Sequence, residues 1–277
     1  MVLAANRKAL AAWGTRTILL AVGLVYIFPL YWMVVTSLKS IAETAVFPPT
    51  WLPGRWMFEN FADVWRTGPF ERYFLNSVLV SAGIVLMELT VAVPASYVLA
   101  KKSFSGSRAI FALILSGMMI PMQVVVIPVY LLLSKLGWIN TYAALIVPFL
   151  SSSTAVFWLT ESFRQVPNEL VEAAKIDRAP EWRIVWNVML PAVKPTLVTI
   201  ALLIYIAHWN DLFWVLVMTN NENIQTLTAG IVKLKDADGL QWNLLMAGNV
   251  ILVAPILLLY MAADKQIKSA FTHGGLK

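Results

Sequence analysis

The chain is built from long apolar runs separated by short polar stretches. Residues 17–38, between Arg16 and Lys39, carry no charge. Neither do residues 109–134, 136–160 and 239–263, each bounded by charged residues. The run from Arg72 to Lys101 holds one charge, Glu88, and the run from Lys194 to Glu222 holds one, Asp211. A helix needs about 20 apolar residues to cross the hydrocarbon of a bilayer. All six runs reach that length. They are continuously apolar rather than alternating, which argues against the strands of a membrane barrel. The pattern predicts an all-α integral membrane protein with six transmembrane helices, at about 17–38, 74–100, 109–134, 138–160, 195–219 and 242–263.

Pro94, Pro121, Pro128, Pro148 and Pro255 fall inside these runs. In water they would break helices. In a bundle, neighbouring helices can satisfy the freed carbonyls, so kinked spans are expected. The first run is too long for the apolar core of a signal peptide and reads as a retained span.

Composition agrees with burial in lipid. Of 277 residues, 59% are hydrophobic and 13% charged, against about 25% charged in soluble domains. An even number of spans puts both termini on one side. That side then carries Arg7, Lys8, Arg16, Lys101, Lys102, Arg108, Arg164, Lys175, Arg178, Arg183, Lys194, Lys265, Lys268 and Lys277. The other side carries fewer basic residues, balanced by acids. Basic loops stay cytoplasmic. The tails 1–16 and 265–277 and the loop 161–194 are therefore expected inside, around a transmembrane domain at 17–264. The net charge of +6 follows from these loops and does not call for nucleic acid. In the opposite segment 39–74, Trp51, Trp56 and Trp65 suit anchoring at headgroup level.

The cytoplasmic loop reads PNELVEAAKIDRAPEWRIVWNVMLP over 167–191. Pro167 and Asn168 suit a helix start. A second short helix is expected from Pro180, ended by Pro191. On the first helix, Ala173 and Ala174 allow close approach. Leu170, Val171 and Ile176 offer apolar surface, and Glu172 and Asp177 offer carboxylates. Residues alone leave two readings: an interfacial amphipathic helix or a docking surface.

The string E-A-A-x2-D-x-A with a closing L-P resembles the EAA loop of binding-protein-dependent ABC importer permeases. Its positions are Glu172, Ala173, Ala174, Asp177, Ala179, Leu190 and Pro191. HWNDLFWVLV at 208–217 and FTHGGLK at 271–277 resemble the carbohydrate-uptake branch, specifically the second permease of maltose-type importers. The resemblance implies a MetI-like type I importer fold with cytoplasmic EAA coupling helices, in a bacterial inner membrane. It implies a heterodimer with a second permease, a homodimeric cytoplasmic ATPase docked on the EAA loops and an extracytoplasmic solute-binding protein. ATP and Mg would be bound by that ATPase. No G-x4-G-K-[ST] phosphate loop occurs in this chain, so it is expected to bind no cofactor and catalyse nothing itself. The tail residues Gly274, Gly275 and Lys277 would contact the ATPase, and the loop 220–243 would face the binding protein. The family pattern has glycine where this chain has Arg178, which must find another turn geometry or tolerate strain of about 1–3 kcal/mol.

Glu88 and Asp211 lie within spans, where an acid should face the bundle interior or a cavity. Trp209, Asn210, Asp211 and Gln123 are candidates for the translocation path, with structural hydrogen bonding as the alternative. A proton-coupled carrier using Asp211 or Glu88 is the rival function. With two histidines, no cysteine and no H-E-x-x-H, a metal site has no support. A sugar, an oligosaccharide and a polyol phosphate are all compatible with the sequence.

Overall fold

Apolar runs without alternation fold as helices because a helix satisfies its backbone donors and acceptors within its own segment. The structure, a computed structural model, describes residues 2–235 and 241–274, and the side chains of 13–235 and 241–270. Every regular element among the described residues is helical. They are α1 (Val2–Ser37), α2 (Ile41–Thr44), α3 (Glu59–Thr67), α4 (Phe70–Lys101), α5 (Ser107–Ser116), α6 (Met122–Lys135), α7 (Tyr142–Ile146), α8 (Ser153–Gln165), α9 (Asn168–Ile176), α10 (Glu181–Arg183), α11 (Leu190–Ala192), α12 (Lys194–Trp209), α13 (Phe213–Met218), α14 (Leu227–Lys233) and α15 (Trp242–Gly274).

Trp13–Ser37, Phe70–Lys101 and Trp242–Ala270 are each long and apolar enough to cross a membrane. Three further candidates are bent pairs. The run expected to cross as one helix over 109–134 is two helices, turning through 96° between Met119 and Met122. Pro121 lacks an N–H, and the residue before a proline is pushed out of the helical region. Ile120 is accordingly extended at φ −92°, ψ 111°. The run over 138–160 bends by 42° between Phe149 and Ser153, after a 3-10 turn that contains Pro148. The run over 195–219 breaks between Trp209 and Phe213. Pro94 and Pro255, by contrast, sit inside unbroken helices.

Two compact units are distinguished. In Met1–Gly68 with Ile231–Val253, Asn60 closes the end of α1. Its Nδ2 donates to Ser37 O at 2.8 Å and Lys39 O at 2.9 Å, while its Oδ1 accepts from Asn243 at 3.0 Å. Ser40 and Glu43 form a capping box on α2. Trp51, one of the expected anchors, is mostly exposed, but its ring meets Trp32 at 6.0 Å.

In Pro69–Gly230 with Ala254–Lys277, α4 is the central post. Its buried positions Ser77, Ser81, Ile84, Glu88, Ala92 and Ser96 recur mostly at intervals of four, one stripe of a helix. Small residues there permit close packing, and Ser96 Oγ donates to Val156 O of α8 at 3.0 Å. Near its start, Asn76 donates to Asn223 O (3.0 Å) and Gln225 O (2.8 Å) and accepts from Tyr142 Oη at 2.7 Å. Gly230 lies so close to Tyr73 that a β-carbon there would stand 2.3 Å from the ring.

Candidate functional site

The loop between α8 and α12 is a helical hairpin with two distinct faces. Val171, Ile184, Val185, Met189, Leu190 and Val193 are buried in the same core cluster as Val93, Tyr97 and Phe163. That burial fixes the hairpin on the body of the protein. Val171, expected to offer apolar docking surface, therefore points inward, and Leu190 of the closing L-P pair does too. The face left outward carries Glu172, Ala173, Ile176, Asp177 and Arg178, with Leu170 beside it. Positions 169, 172, 173 and 176 form one helical stripe. Ile176 is 81% exposed, a large apolar side chain at the centre of that stripe.

Both helices of the hairpin are tied to the C-terminal end of α4. Lys101 Nζ donates to Val166 O at 2.5 Å and to Asn168 Oδ1 at 2.8 Å, at the start of α9. Tyr97 Oη donates to Glu181 Oε2 at 2.7 Å, and Lys102 Nζ pairs with Glu181 Oε1, at the start of α10. The Lys102 ammonium, and after it the Tyr97 hydroxyl, hold the Glu181 carboxyl below the usual carboxylate range.

The turn after α9 settles the question posed by Arg178. Its φ is +54°, the left-handed conformation that glycine adopts without steric cost. Arg178 N donates to Lys175 O at 2.9 Å and Ala179 N to Ala174 O at 3.0 Å. These are the two bonds of a Schellman motif. Its usual apolar contact falls on Ala174 and Ala179, both packed against the core. The arginine does not find another geometry; it takes the glycine's and bears the strain. Two of the three motif alanines thus serve the turn, while Ala173 is exposed.

Pro191 does not end the second helix. A π turn over Ile184–Met189 precedes it, widening the ladder where a proline ring would meet the carbonyl four residues back. The helical path continues to Ala192. The chain then turns through 87° into α12.

The candidate path residues separate in space. Trp209 is buried, stacked with Tyr205 at 5.5 Å and edge-on to Phe74 at 5.8 Å. Asn210 is exposed, and its Nδ2 donates back to Ile206 O at 2.9 Å. Asp211 Oδ1 accepts from Trp214 N at 2.9 Å, capping α13. Gln123 lies exposed on α6. Glu88 and His208 instead line one cavity of about 320 Å³ with Phe149, Ser152 and Trp158. The span position of Glu88 was a legible signal for it, whereas the partners came from other helices. Gly274 ends α15; Gly275 and Lys277 lie outside the described residues.

A helical membrane protein with an outward-facing surface hairpin is the class these features define. Residues 92–272 match the binding-protein-dependent transport system inner membrane component family, and the chain belongs to that family. It is 32% identical over 253 residues to the probable ABC transporter permease protein YurM of Bacillus subtilis, covering 90% of this chain and 83% of that one. It is 29% identical over 264 residues to the diacetylchitobiose uptake system permease protein NgcG of Streptomyces coelicolor, covering 94% and 87%. Its fold matches a chain in the crystal structure of a bacterial ABC transporter that imports the acidic polysaccharide alginate, with TM-score 0.80 and 23% identity over 91% of this chain and 95% of that one.

Proposed function

We infer that this chain is one of two permease subunits enclosing the translocation path of a carbohydrate importer, and that the outward face of α9 is the docking surface for the ATPase that drives it. The observation that carries this reading is the hairpin itself: one face is buried in the body of the subunit, and the other presents Glu172, Ala173, Ile176 and Asp177 to a partner. A helix merely resting on lipid would need a continuous apolar face toward the bilayer. Here carboxylates and a small residue surround the exposed Ile176.

The ties from Lys101, Tyr97 and Lys102 make the hairpin and α4 move together. ATP-driven closure of the partner would then shift α4 and open the path outward. The loaded binding protein must favour that outward-facing state for the cycle to be coupled. The three long apolar helices and the bent pairs support six spans. The 87° bend at Val193 supports laying Glu181–Ala192 along the cytoplasmic surface while α12 and α13 cross. Both termini then face inward, and the segment 220–243 lies outside, toward the binding protein.

A transport system of this family depends on a binding protein, which a proton-coupled carrier running on Asp211 or Glu88 does not require. The relatives named for sugar uptake support a carbohydrate as cargo. Reconstitution of the chain with its second permease, ATPase and binding protein into proteoliposomes tests the reading. Uptake of the sugar held by the binding protein should require internal ATP. Uptake that follows an imposed proton gradient without ATP would overturn it.

A further inference from the structure

The cavity beside α4 contains a polar group that packing alone does not explain. Glu88 is 2% exposed, and its Oε1 has no hydrogen-bond partner. It lies thirteen residues before Lys101, about 20 Å from that end of α4 at 1.5 Å per residue. An unanswered carboxyl at such depth is costly. Two features answer it in part. The Ser152 hydroxyl stands near the carboxyl in the same lining. The first turn of α8 begins at Ser153, with its Ala155 N–H capped by Ser152 Oγ at 3.3 Å, so the positive end of its dipole lies at the same cavity. Glu88 lines the cavity with Oε1 enclosed and unpartnered.

We propose that this cavity is a binding subsite for an uncharged sugar unit, with Glu88 and Ser152 engaging its hydroxyls and Phe149 and Trp158 meeting its ring faces. This rests on the carbohydrate reading above and adds the charge class of the substrate and a direct contact from this subunit. The argument turns on the helix terminus. A helix N-terminus facing a cavity ordinarily suits a phosphate or carboxylate. Here the chain's own carboxyl already stands there. A second anion would meet it in a low-dielectric setting, where like charges repel strongly. No lysine or arginine among the described residues lines the cavity to offset that repulsion. Sugar hydroxyls both donate and accept, which suits a carboxyl near a serine hydroxyl. Aromatic walls with a few placed polar groups are the usual make-up of a small-molecule site, and about 320 Å³ lies at the small end of the range for such sites. Trp158, 48% exposed, stands at the open side, and His208 packs on Phe149 with ring centroids 4.4 Å apart.

The test is equilibrium binding to the full chain, co-purified with its second permease in lipid nanodiscs. The neutral probes are maltose and N,N′-diacetylchitobiose; the anionic probes are sn-glycerol 3-phosphate and an alginate trisaccharide. Saturable binding of a neutral probe is expected, at least tenfold tighter than either anion. Glu88→Ala should weaken it about tenfold or more, and Glu88→Gln, which keeps an acceptor, by less than about threefold. Trp158→Ala changes a half-exposed side chain and should weaken binding with thermal stability unchanged. Absence of saturable neutral binding, anions bound as tightly as neutral sugars, or unaltered binding in both Glu88→Ala and Trp158→Ala would overturn the proposal. ATP-dependent uptake is judged separately, so a working importer with an unresponsive cavity refutes the subsite alone.

Discussion

Tyr97 donates its hydroxyl hydrogen to Glu181 Oε2 at 2.7 Å, joining the last turns of α4 to the start of α10. Lys102 holds the other oxygen of the same carboxylate. The residues are 84 positions apart in sequence, so the tie fixes where the hairpin lies rather than how it folds locally. Glu181→Ala removes both bonds. Because the pair is partly solvated, the cost to stability should be only about 0.5–1 kcal/mol. The larger effect should be on coupling: hydrogen exchange across 168–183 should accelerate, and ATP turnover should become less dependent on the binding protein.

The same carboxylate gives a pH signature. Its folded-state pKa lies below its ordinary value, so its contribution is present above the unfolded pKa and lost as pH falls through the folded one. The difference in loop protection between the wild type and Glu181→Gln should hold constant at neutral pH. It should vanish on acidification below the ordinary carboxylate range. A difference that instead grows on acidification contradicts this assignment.

Arg178 holds a left-handed φ of +54°. Arg178→Gly removes the steric cost of that conformation, about 1–2 kcal/mol, but frees the unfolded chain by about 0.4–1 kcal/mol. A net gain of roughly 0.5–1 kcal/mol is expected in denaturant titration. Arg178→Val, β-branched at the same φ, should lose stability instead.

Gly230 allows Tyr73 to pack against its backbone. Gly230→Ala places a methyl 2.3 Å from a ring that is 1% exposed, and overpacking of this kind costs about 1–3 kcal/mol. The melting temperature should fall, and Tyr73→Leu combined with Gly230→Ala should recover part of the loss.

Asp211 accepts the Trp214 amide. Asp211→Asn keeps that acceptor and should leave uptake and stability nearly unchanged, whereas Asp211→Ala should cost about 1 kcal/mol, the usual worth of a cap. Loss of uptake in Asp211→Asn with stability intact would return this residue to the path.

The large-scale pattern was legible because long uncharged runs have few structural solutions, and because the spacing of Glu172, Ala173, Ala174 and Asp177 is specific. Finer features depended on distant partners. Nothing adjacent to Val171 in sequence says that Ile184 and Met189 fold back to cover its face. Asp211 read as a charge in a span, but the neighbouring break gave it a backbone amide to cap. The 96° turn at Pro121 was indistinguishable in sequence from the tolerated Pro94 and Pro255, since the choice between kink and break lies with packing. Glu88 stood out by its charge, while Ser152, Trp158 and His208 line the same cavity from distant parts of the chain.

The docking claim is tested most directly by retention of the ATPase on the purified permease pair. Wild-type complexes should carry it at near-stoichiometric levels. Glu172→Lys, which reverses a charge on the exposed stripe and touches no core position, should lower retention at least tenfold while the permease pair keeps its melting temperature. Full retention by Glu172→Lys, together with unaltered ATP-driven uptake, would contradict the assignment of that face to the motor.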